Sequence, residues 1–331
     1  MYVGIDHSTT GVKTVALHDD GSYESFLIER HQRESKWSFL DELSNYVDFD
    51  NIDMVANGFS MGNNFNTITD ISSLDNRGVI DYIGLGHGFG TGTQVFDELV
   101  NTDLPCIAYP GIHQDLDCLD PYFKHYSSLT GADKVAMTRY AQEIVSAQEG
   151  VGNTFISACV SSSAMATIVR NGTLRGAFHW LGLIHGHVDT EMLRELRDSN
   201  SGYRDVFMRS GLLFRSGEPF EKIRGVPDED LLKSIRLATL QHVYSLVPFT
   251  FSFGCSLDKI VLSGRLSRVT SPINMQSSLE ESLSRLAPVH ICSKYSTALG
   301  AAYIARDAAQ GANDVLGIPV ETTPITEKGQ L

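Results

Sequence analysis

Two stretches of this sequence repeat the same order of strands and turns, and this repeat constrains the fold most. The chain begins with an apolar strand (2–6), a turn of small hydroxyl residues, a second strand (12–17), a glycine turn and a third strand (23–28). The same order returns at 155–178, where Ser161-Ser162-Ser163 forms the first turn. Internal similarity of this kind predicts two related halves, each built on an antiparallel meander.

The first strand brings a carboxylate, Asp6, directly to the turn that contains Ser8, Thr9 and Thr10. An acid at a strand end can hold the water shell of Mg²⁺, while the amides and hydroxyls of the turn face phosphate oxygens. The alternative is a plain hairpin turn, since turns are commonly small and polar. Because two such turns facing each other would hold a phosphate chain, the repeat favours a Mg-nucleotide site with Asp6 as the metal-associated acid.

Composition and charge limit the kinds of partner. The chain has 331 residues, of which 42% are hydrophobic and 20% charged, and this length suits about two domains. Its net charge of −14 argues against a nucleic-acid-binding surface, because such surfaces depend on Lys and Arg. The five cysteines are scattered without a C-x-x-C pattern, which favours buried thiols in a reducing cytoplasm over a disulfide framework. Neither a signal peptide nor an apolar membrane span is visible, so we expect a cytoplasmic protein without a membrane partner.

A third small-residue turn lies in the second half. Ser263 and Gly264 follow the predicted strand 258–262 and precede a predicted helix at about 274–286. A strand, a small turn and a helix in this order place backbone amides where an anionic ligand can bind. Further on, the helix predicted at 296–309 is rich in glycine and alanine, and we expect it to pack very closely on its neighbours.

Two histidines and an acid alternate before a predicted helix in the second half. On an extended segment, His185, His187 and Asp189 would point the same way, as metal ligands do. A hydrogen-bonded or exposed histidine pair is the more common arrangement for so short a pattern. Asp189 is alternatively the N-terminal cap of the helix that begins at Thr190, since Asp is favoured at that position.

Taken together, these motifs resemble those of the actin, heat-shock-chaperone and sugar-kinase superfamily. In the resemblance, Asp6 and the first hydroxyl turn match the first phosphate motif, Ser161–Ser163 the second, and Leu262–Gly264 the adenosine motif. It implies an α/β fold of two ribonuclease-H-like domains with a nucleotide cleft between them, and ATP and Mg²⁺ as cofactors. We expect the domains at 1–150 and 151–317, followed by a polar C-terminal tail at 318–331.

A narrower resemblance is to the acetate and butyrate kinases. It is carried by GTQV at 92–95, the segment 105–110, SLTG at 128–131, and the segment 186–191, which is similar to a glycine-proline-acid segment of those enzymes. The resemblance implies a catalytic role for Asp189 beside Asp6, and a small carboxylate as the second substrate.

Over nearly its full length the chain also resembles the archaeal methanogenesis marker protein 12 family. The motifs that carry this resemblance are GIDHSTTG, FSMGNN, GTGTQVFDEL, YPGIH and HGHVDTEM. The family name implies a connection with methane metabolism.

One departure from the superfamily pattern concerns the second strand end. Where kinases of the superfamily often carry a second acid that helps to hold the metal or activate the nucleophile, this chain has Ala158-Cys159. Two hypotheses therefore stay open. The chain is an ATP-dependent kinase or ATPase that acts on a small carboxylate or a protein client, or it is a non-catalytic scaffold or assembly factor of the same fold. A homodimer is compatible with both.

Overall fold

The structure is a computed structural model, and the part of the chain that it describes contains most of the predicted site. The described residues are 1–8, 11–29, 37–58, 65–74, 91–125, 127, 130–148, 152–186, 189–198, 206, 209–218 and 225–322. The predicted site residues Thr9 and Thr10, and also His187, lie outside them.

Thirteen strands and eight helices of at least one turn lie in the described part of the chain. The strands are β1 Tyr2–His7, β2 Gly11–Leu17, β3 Tyr23–Glu29, β4 Met54–Gly58, β5 Ile68–Asp70, β6 Cys106–Tyr109, β7 Phe155–Cys159, β8 Met165–Arg170, β9 Thr173–Phe178, β10 Lys259–Ser263, β11 Val289–Ile291, β12 Asp314–Val315 and β13 Ile318–Glu321. The helices are α1 Phe39–Ser44, α2 Thr91–Val100, α3 Asp133–Ser146, α4 Thr190–Asp198, α5 Leu212–Arg215, α6 Glu229–Ser252, α7 Met275–Leu283 and α8 Ser296–Ala309.

The two sheets show the repeat directly. The first sheet has the strand order β12-β13-β5-β6-β4-β1-β2-β3, and the second has β11-β10-β7-β8-β9. In both, the first strand of the meander pairs antiparallel with its hairpin partner and parallel with a later strand, β4 or β10. The order β6-β4-β1-β2-β3 therefore corresponds strand by strand to β11-β10-β7-β8-β9. The internal similarity predicted from the sequence is confirmed.

Helix α8 covers the first sheet at a distance that only glycine permits. A Cβ built on Gly4 of β1 would lie 2.1 Å from the Ala298 carbonyl oxygen and 2.2 Å from the Ala302 nitrogen. On the other side of the helix, a Cβ on Gly300 would lie 1.8 Å from the Ala136 carbonyl oxygen of α3. Because neither position has room for a Cβ, α8 is held between β1 and α3 by direct backbone approach. The predicted close packing of this helix is confirmed.

Ion pairs of Arg139 also join α3 to α8. The guanidinium of Arg139 donates two hydrogen bonds to Asp307, from Nε at 2.6 Å and from Nη2 at 3.1 Å. Its Nη1 donates to Glu143 at 3.0 Å, and the group lies 5.3 Å from the centre of the Tyr303 ring. Because the two bonds to Asp307 are parallel, the pair fixes the relative orientation of the helices as well as their separation.

Helix α3 also contacts the second sheet, so it links the two sheets. The hydroxyls of Thr138 on α3 and Thr167 on β8 lie 2.8 Å apart in a buried hydrogen bond. Phe123, which precedes α3 in the sequence, also contacts the second half of the chain. Its ring packs edge-on against that of Phe249 of α6, with ring centres 4.1 Å apart. A Cβ on Gly176 would lie 1.4 Å from a Phe123 ring carbon, so this ring rests on the bare backbone of β9.

The structure corrects the expected C-terminal tail. Residues 318–321 form strand β13, which pairs parallel with β5 of the first sheet, and Ile318 is fully buried. The reason is the apolar content of the segment, since Val315, Leu316 and Ile318 all lie in the hydrophobic core that contains the first sheet and α8. The prediction of a tail from residue 318 is therefore wrong for 318–321, and residues 323–331 lie outside the described part. The domain limits stay predictions.

All five cysteines are free thiols, and four of them are buried. Among the described helices, none is long and apolar enough to cross a membrane.

We predict that Gly300→Ala lowers the free energy of unfolding by about 3 kcal/mol or more, because the new methyl group forces α8 and α3 apart. Gly21→Ala is the matched control. Its φ of +84° adds strain, but a Cβ there meets nothing within 4 Å, so about 1 kcal/mol is expected. Urea unfolding of both variants provides the measurement. Equal losses would contradict the proposed role of the α3–α8 contact.

Candidate functional site

The predicted acid lies where the first strand ends. Asp6 is buried at the end of β1, and its Oδ2 accepts a hydrogen bond from Lys13 Nζ at 3.2 Å. The register of the hairpin explains this pair, because Asp6 and Lys13 are direct partners across the antiparallel strands β1 and β2. A cation therefore lies beside the predicted metal-associated acid.

The turn between β1 and β2 is tightly closed. The Ser8 amide donates to the Gly11 carbonyl at 2.9 Å, and the Gly11 amide donates back to Ser8 at 3.2 Å. The Ser8 hydroxyl also donates to the Gly11 carbonyl at 2.9 Å. A Cβ on Gly11 would lie 2.1 Å from the Ile28 carbonyl oxygen, so β3 holds this end of the turn in place. The Ser8 hydroxyl thus stabilises the turn itself.

The start of α3 places a second ion pair, Lys134 with Asp133, near Asp6. Lys134 is buried and forms an ion pair with its neighbour Asp133. Burial lowers the pKa of Lys134, but the nearby groups of Asp133, Cys159 and Asp6 outweigh it, and the pKa lies above its ordinary value. Lys134 is therefore a buried ammonium ion close to Asp6 at neutral pH.

The end of β7 reaches the same place. Burial raises the pKa of the Cys159 thiol; Lys134 and Lys13 oppose this effect, while Asp133 and Asp6 add to it. The residue is thus a neutral thiol within electrostatic reach of all four charged groups. Since Cys159 ends β7 as Asp6 ends β1, the corresponding strand ends of the two sheets meet at one site.

The third predicted turn packs beside the second. The Val160 amide donates to the Ser263 carbonyl at 2.8 Å, and the Val160 carbonyl accepts from the Leu266 amide at 2.9 Å. Gly264 has a φ of +93°, and a Cβ there would lie 2.5 Å from the Val160 carbonyl oxygen. The Ser263 hydroxyl is buried and donates to Ala158 at 3.5 Å. The structure thus places 263–264 against Val160, the residue directly before 161–163, and Ser263 has a hydrogen bond within the fold.

The loop with the first predicted histidine lies over the second turn. The Ile184 amide donates to the Ser162 carbonyl at 2.9 Å, and a Cβ on Gly182 would lie 2.8 Å from the Ala164 nitrogen. Burial, together with the nearby His179 and Lys134, lowers the pKa of His185 to about 4. His185 is therefore neutral at pH 7 and lies at the site. The described residues contain no group of three or more His, Cys, Asp or Glu that could hold a metal ion. Since His187 lies outside the described residues, a metal site of His185, His187 and Asp189 stays a prediction.

Asp189 caps helix α4, which is the alternative that the sequence left open. Its Oδ1 accepts from the Glu191 amide at 3.0 Å and the Met192 amide at 3.1 Å. Its Oδ2 accepts from Arg215 Nη2 at 2.9 Å, and this hydrogen bond lowers the pKa of Asp189. The side chain is 43% exposed. The catalytic role of Asp189 stays a prediction, while the structure shows a capping role.

Several residues of the site were not predicted from the sequence. Lys13 could have been found from the hairpin register, and Lys134 from its place beside Asp133 directly before the apolar residues 135–137. Tyr109 gave no signal in the sequence. Its pKa lies well above the ordinary value because of burial and the nearby Asp6 and Asp133. A Cβ on Gly58 would lie 3.1 Å from the Tyr109 hydroxyl oxygen, so the ends of β4 and β6 complete this side of the site.

No family model matches this chain. A UPF0285 protein of Methanococcus aeolicus is 31% identical over 334 residues, which cover 96% of this chain and 98% of the relative. The chain belongs to the UPF0285 family.

Two solved structures show the fold. The acetate kinase of Entamoeba histolytica superposes with a TM-score of 0.54 at 11% identity, covering 90% of this chain and 97% of that chain. A propionate kinase of Francisella tularensis subsp. tularensis gives 0.53 at 14% identity, with 91% of each chain covered. This UPF0285 chain therefore has the two-domain actin-like fold, and the predicted fold class is confirmed.

The donor groups of the site fit a Mg-nucleotide. Asp6 offers the hard oxygen that Mg²⁺ prefers, and Lys13 and Lys134 have the charge that binds phosphate. Mg²⁺ is commonly held by one or two carboxylates together with substrate phosphates and water. A single buried acid flanked by two lysines suits that mode, in which metal and nucleotide bind together.

We predict that stability falls with acid through His185. Its pKa is about 4 in the folded chain and 6.5 in the reference state, so the unfolded chain binds more protons between these values. The stabilisation is complete above about pH 6.5 and is lost as the pH falls towards 4. Between pH 7 and pH 5 the loss is about 2 kcal/mol.

Urea unfolding at both pH values measures this loss. His185→Gln is expected to remove it, and His125→Gln, at an exposed histidine, is expected to keep it. An unchanged pH dependence in His185→Gln would contradict the burial of a neutral imidazole.

Proposed function

We propose that this chain binds Mg-ATP between its two sheets and acts as a phosphotransferase or ATPase. The observation that carries the proposal is the meeting of Asp6, Lys13 and Lys134 at the point where β1 and β7 end. Lys134 is buried and Lys13 is half-buried, and each is paired with an acid, which offsets the cost of removing an ammonium group from water. A phosphate that binds both lysines would therefore meet ammonium groups that folding has already partly desolvated.

The proposed role of each residue follows from its position at the ends of β1 and β7. Lys13 and Lys134 bind phosphate oxygens, and Asp6 holds the metal that the nucleotide brings. The two hydroxyl turns, with Ser8–Thr10 on one side and Ser161–Ser163 on the other, enclose the phosphates. The Ser263-Gly264 turn beside Val160 borders the adenosine side. Bound Mg²⁺ would neutralise developing charge on the phosphoryl group. Catalysis by these residues is then positioning and charge neutralisation.

A second candidate is a non-catalytic scaffold or assembly factor with the same fold. Cys159 favours it, because a neutral buried thiol stands at the position of the second acid. A neutral thiol neither holds Mg²⁺ nor accepts a proton from a nucleophile at neutral pH. Binding without turnover is the expected behaviour of such a descendant.

The proposal also includes a second substrate and a cellular role. The similarity to acetate and propionate kinases supports a small carboxylate as phosphoryl acceptor, with a protein client as the alternative. The motifs shared with the methanogenesis marker protein 12 family support a cytoplasmic role connected with methanogenesis in archaea.

Isothermal titration calorimetry with Mg-ATP tests nucleotide binding. The wild-type chain is expected to bind at millimolar or lower concentration. Asp6→Asn is expected to weaken Mg-ATP binding at least about tenfold and to make ATP affinity insensitive to Mg²⁺, since the metal-associated charge is gone. Asp50→Asn, at an exposed acid outside the site, serves as control and should match the wild type.

Absence of binding by the wild type would overturn the proposal. An assay for ADP on the same samples, with and without acetate as phosphoryl acceptor, separates the two candidates. ADP release without acetate supports the ATPase, ADP release that needs acetate supports the phosphotransferase, and binding without ADP release in either case supports the scaffold.

Restoring the second acid provides another test. We predict that Cys159→Asp raises the Mg²⁺ dependence of ATP affinity about tenfold, because a second carboxylate then faces Asp6 across the site. Cys159→Ser keeps the size without the charge and should leave the Mg²⁺ dependence unchanged. If Cys159→Asp behaves like Cys159→Ser, residue 159 does not face the nucleotide site.

A further inference from the structure

Helix α6 carries two apolar stripes on opposite sides. One stripe is buried in the hydrophobic core beside the second sheet and includes Leu232, Val243 and Leu246. The other faces outward. Leu237, Tyr244 and Phe251 follow each other at intervals of seven residues and are 58%, 44% and 77% exposed. A helix that only covers a sheet needs the first stripe alone.

From Leu237 onward, the outer face of α6 also lacks charge. From Leu237 to Ser252 the sequence contains no Asp, Glu, Lys or Arg, although the whole chain carries a net charge of −14. Depletion of charge around exposed aromatic side chains is the composition found at the centres of protein interfaces. On so acidic a molecule, such a face is where a like-charged copy can approach without electrostatic repulsion.

The spacing of the stripe indicates a helix as the partner. Leu240 and Val247 are half-buried and lie between the exposed residues, so apolar side chains alternate at steps of three and four. This is the pattern by which one helix packs along another. The stripe is also symmetric about Tyr244, with Leu237 seven residues before it and Phe251 seven residues after it. An antiparallel copy would place Tyr244 on Tyr244 and Leu237 on Phe251.

We propose that a second copy of this chain docks on the outer face of α6, with a twofold axis through Tyr244. The interface is then isologous, since each side chain of the stripe meets its symmetric counterpart. Antiparallel pairing also brings Lys233 near the carboxyl end of the partner's helix, where a cation is favourable. Since α6 packs on β7, β8 and β9 through its other side, the dimer leaves the Asp6 site accessible.

Helix α7 supplies the edge of this surface. The Tyr244 hydroxyl donates to the Ser282 carbonyl at 3.3 Å, and Arg236 Nη2 donates to the Ser282 hydroxyl at 2.6 Å. These bonds hold α7 beside α6. A stable interface buries roughly 800 Å² per chain, and a helix about 36 Å long and about 10 Å wide supplies about half of that area, so the adjoining side of α7 would supply the rest.

Analytical ultracentrifugation of the full chain tests the proposal. The wild type is expected to sediment as a dimer at micromolar concentration. Phe251→Arg and Tyr244→Arg are each expected to weaken dimerisation at least about 30-fold, because each places two guanidinium groups in one apolar interface. Tyr122→Arg, at a side chain that is 80% exposed outside the stripe, should leave the dimer unchanged. A monomeric wild type, or a dimer that survives both stripe variants, would overturn the proposal.

Cysteine cross-linking tests the axis itself. Tyr244→Cys should form an intermolecular disulfide with its own copy, whereas Leu237→Cys should not, since the two copies of residue 237 would lie about 21 Å apart. The double variant Leu237→Cys with Phe251→Cys should cross-link again. Oxidised wild type controls for the five native thiols. Cross-linking through Leu237→Cys alone, or none through Tyr244→Cys, would contradict the twofold axis through residue 244.

Discussion

The backbone contact that α8 makes with β1 and α3 positions the rest of the structure. Gly4 and Gly300 allow α8 to lie against both elements without intervening side chains. The bidentate bond between Arg139 and Asp307 then fixes the direction in which α3 runs. Because α3 begins with Asp133 and Lys134, this packing places the buried ammonium group of Lys134 close to Asp6. The geometry of the site thus depends on a helix that contributes none of the charged groups described there.

The charged groups described at the site are two lysines and two acids, and the proposed phosphate binding uses the two lysines. Lys13 and Lys134 each have an acid partner, and the strand end that would supply a second metal-holding acid carries a neutral thiol. Two ammonium groups that are held at low exposure do not need to reorganise when a phosphate arrives. In the proposed function a polyanion binds to these local groups, so its binding would not depend on the net charge of −14 of the whole chain.

The fold was largely predictable because it is repeated in the sequence. Alternating apolar residues and small turns at 2–28 and 155–178 indicated both meanders, and the sheet order confirms them. The site was less predictable. Asp6 followed from its place at a strand end, but Lys134 and Tyr109 depend on how α3 and β6 pack against β1, which is a tertiary contact. For Asp189, local rules alone predicted the helix cap that the structure shows, while the catalytic role implied by the resemblance stays a prediction. The strand at 318–321 was missed because its short apolar segment gains its partner, β5, from far away in the sequence.

The central claim is that the two strand ends form one phosphate-binding site. A crystal structure of the chain with Mg²⁺ and a non-hydrolysable ATP analogue tests it most directly. The account predicts phosphate oxygens within hydrogen-bond distance of Lys13 Nζ and Lys134 Nζ, between the 8–11 and 161–163 turns, with the adenosine beside Gly264. An analogue bound elsewhere, or bound with both lysines still paired only to Asp6 and Asp133, would contradict the account.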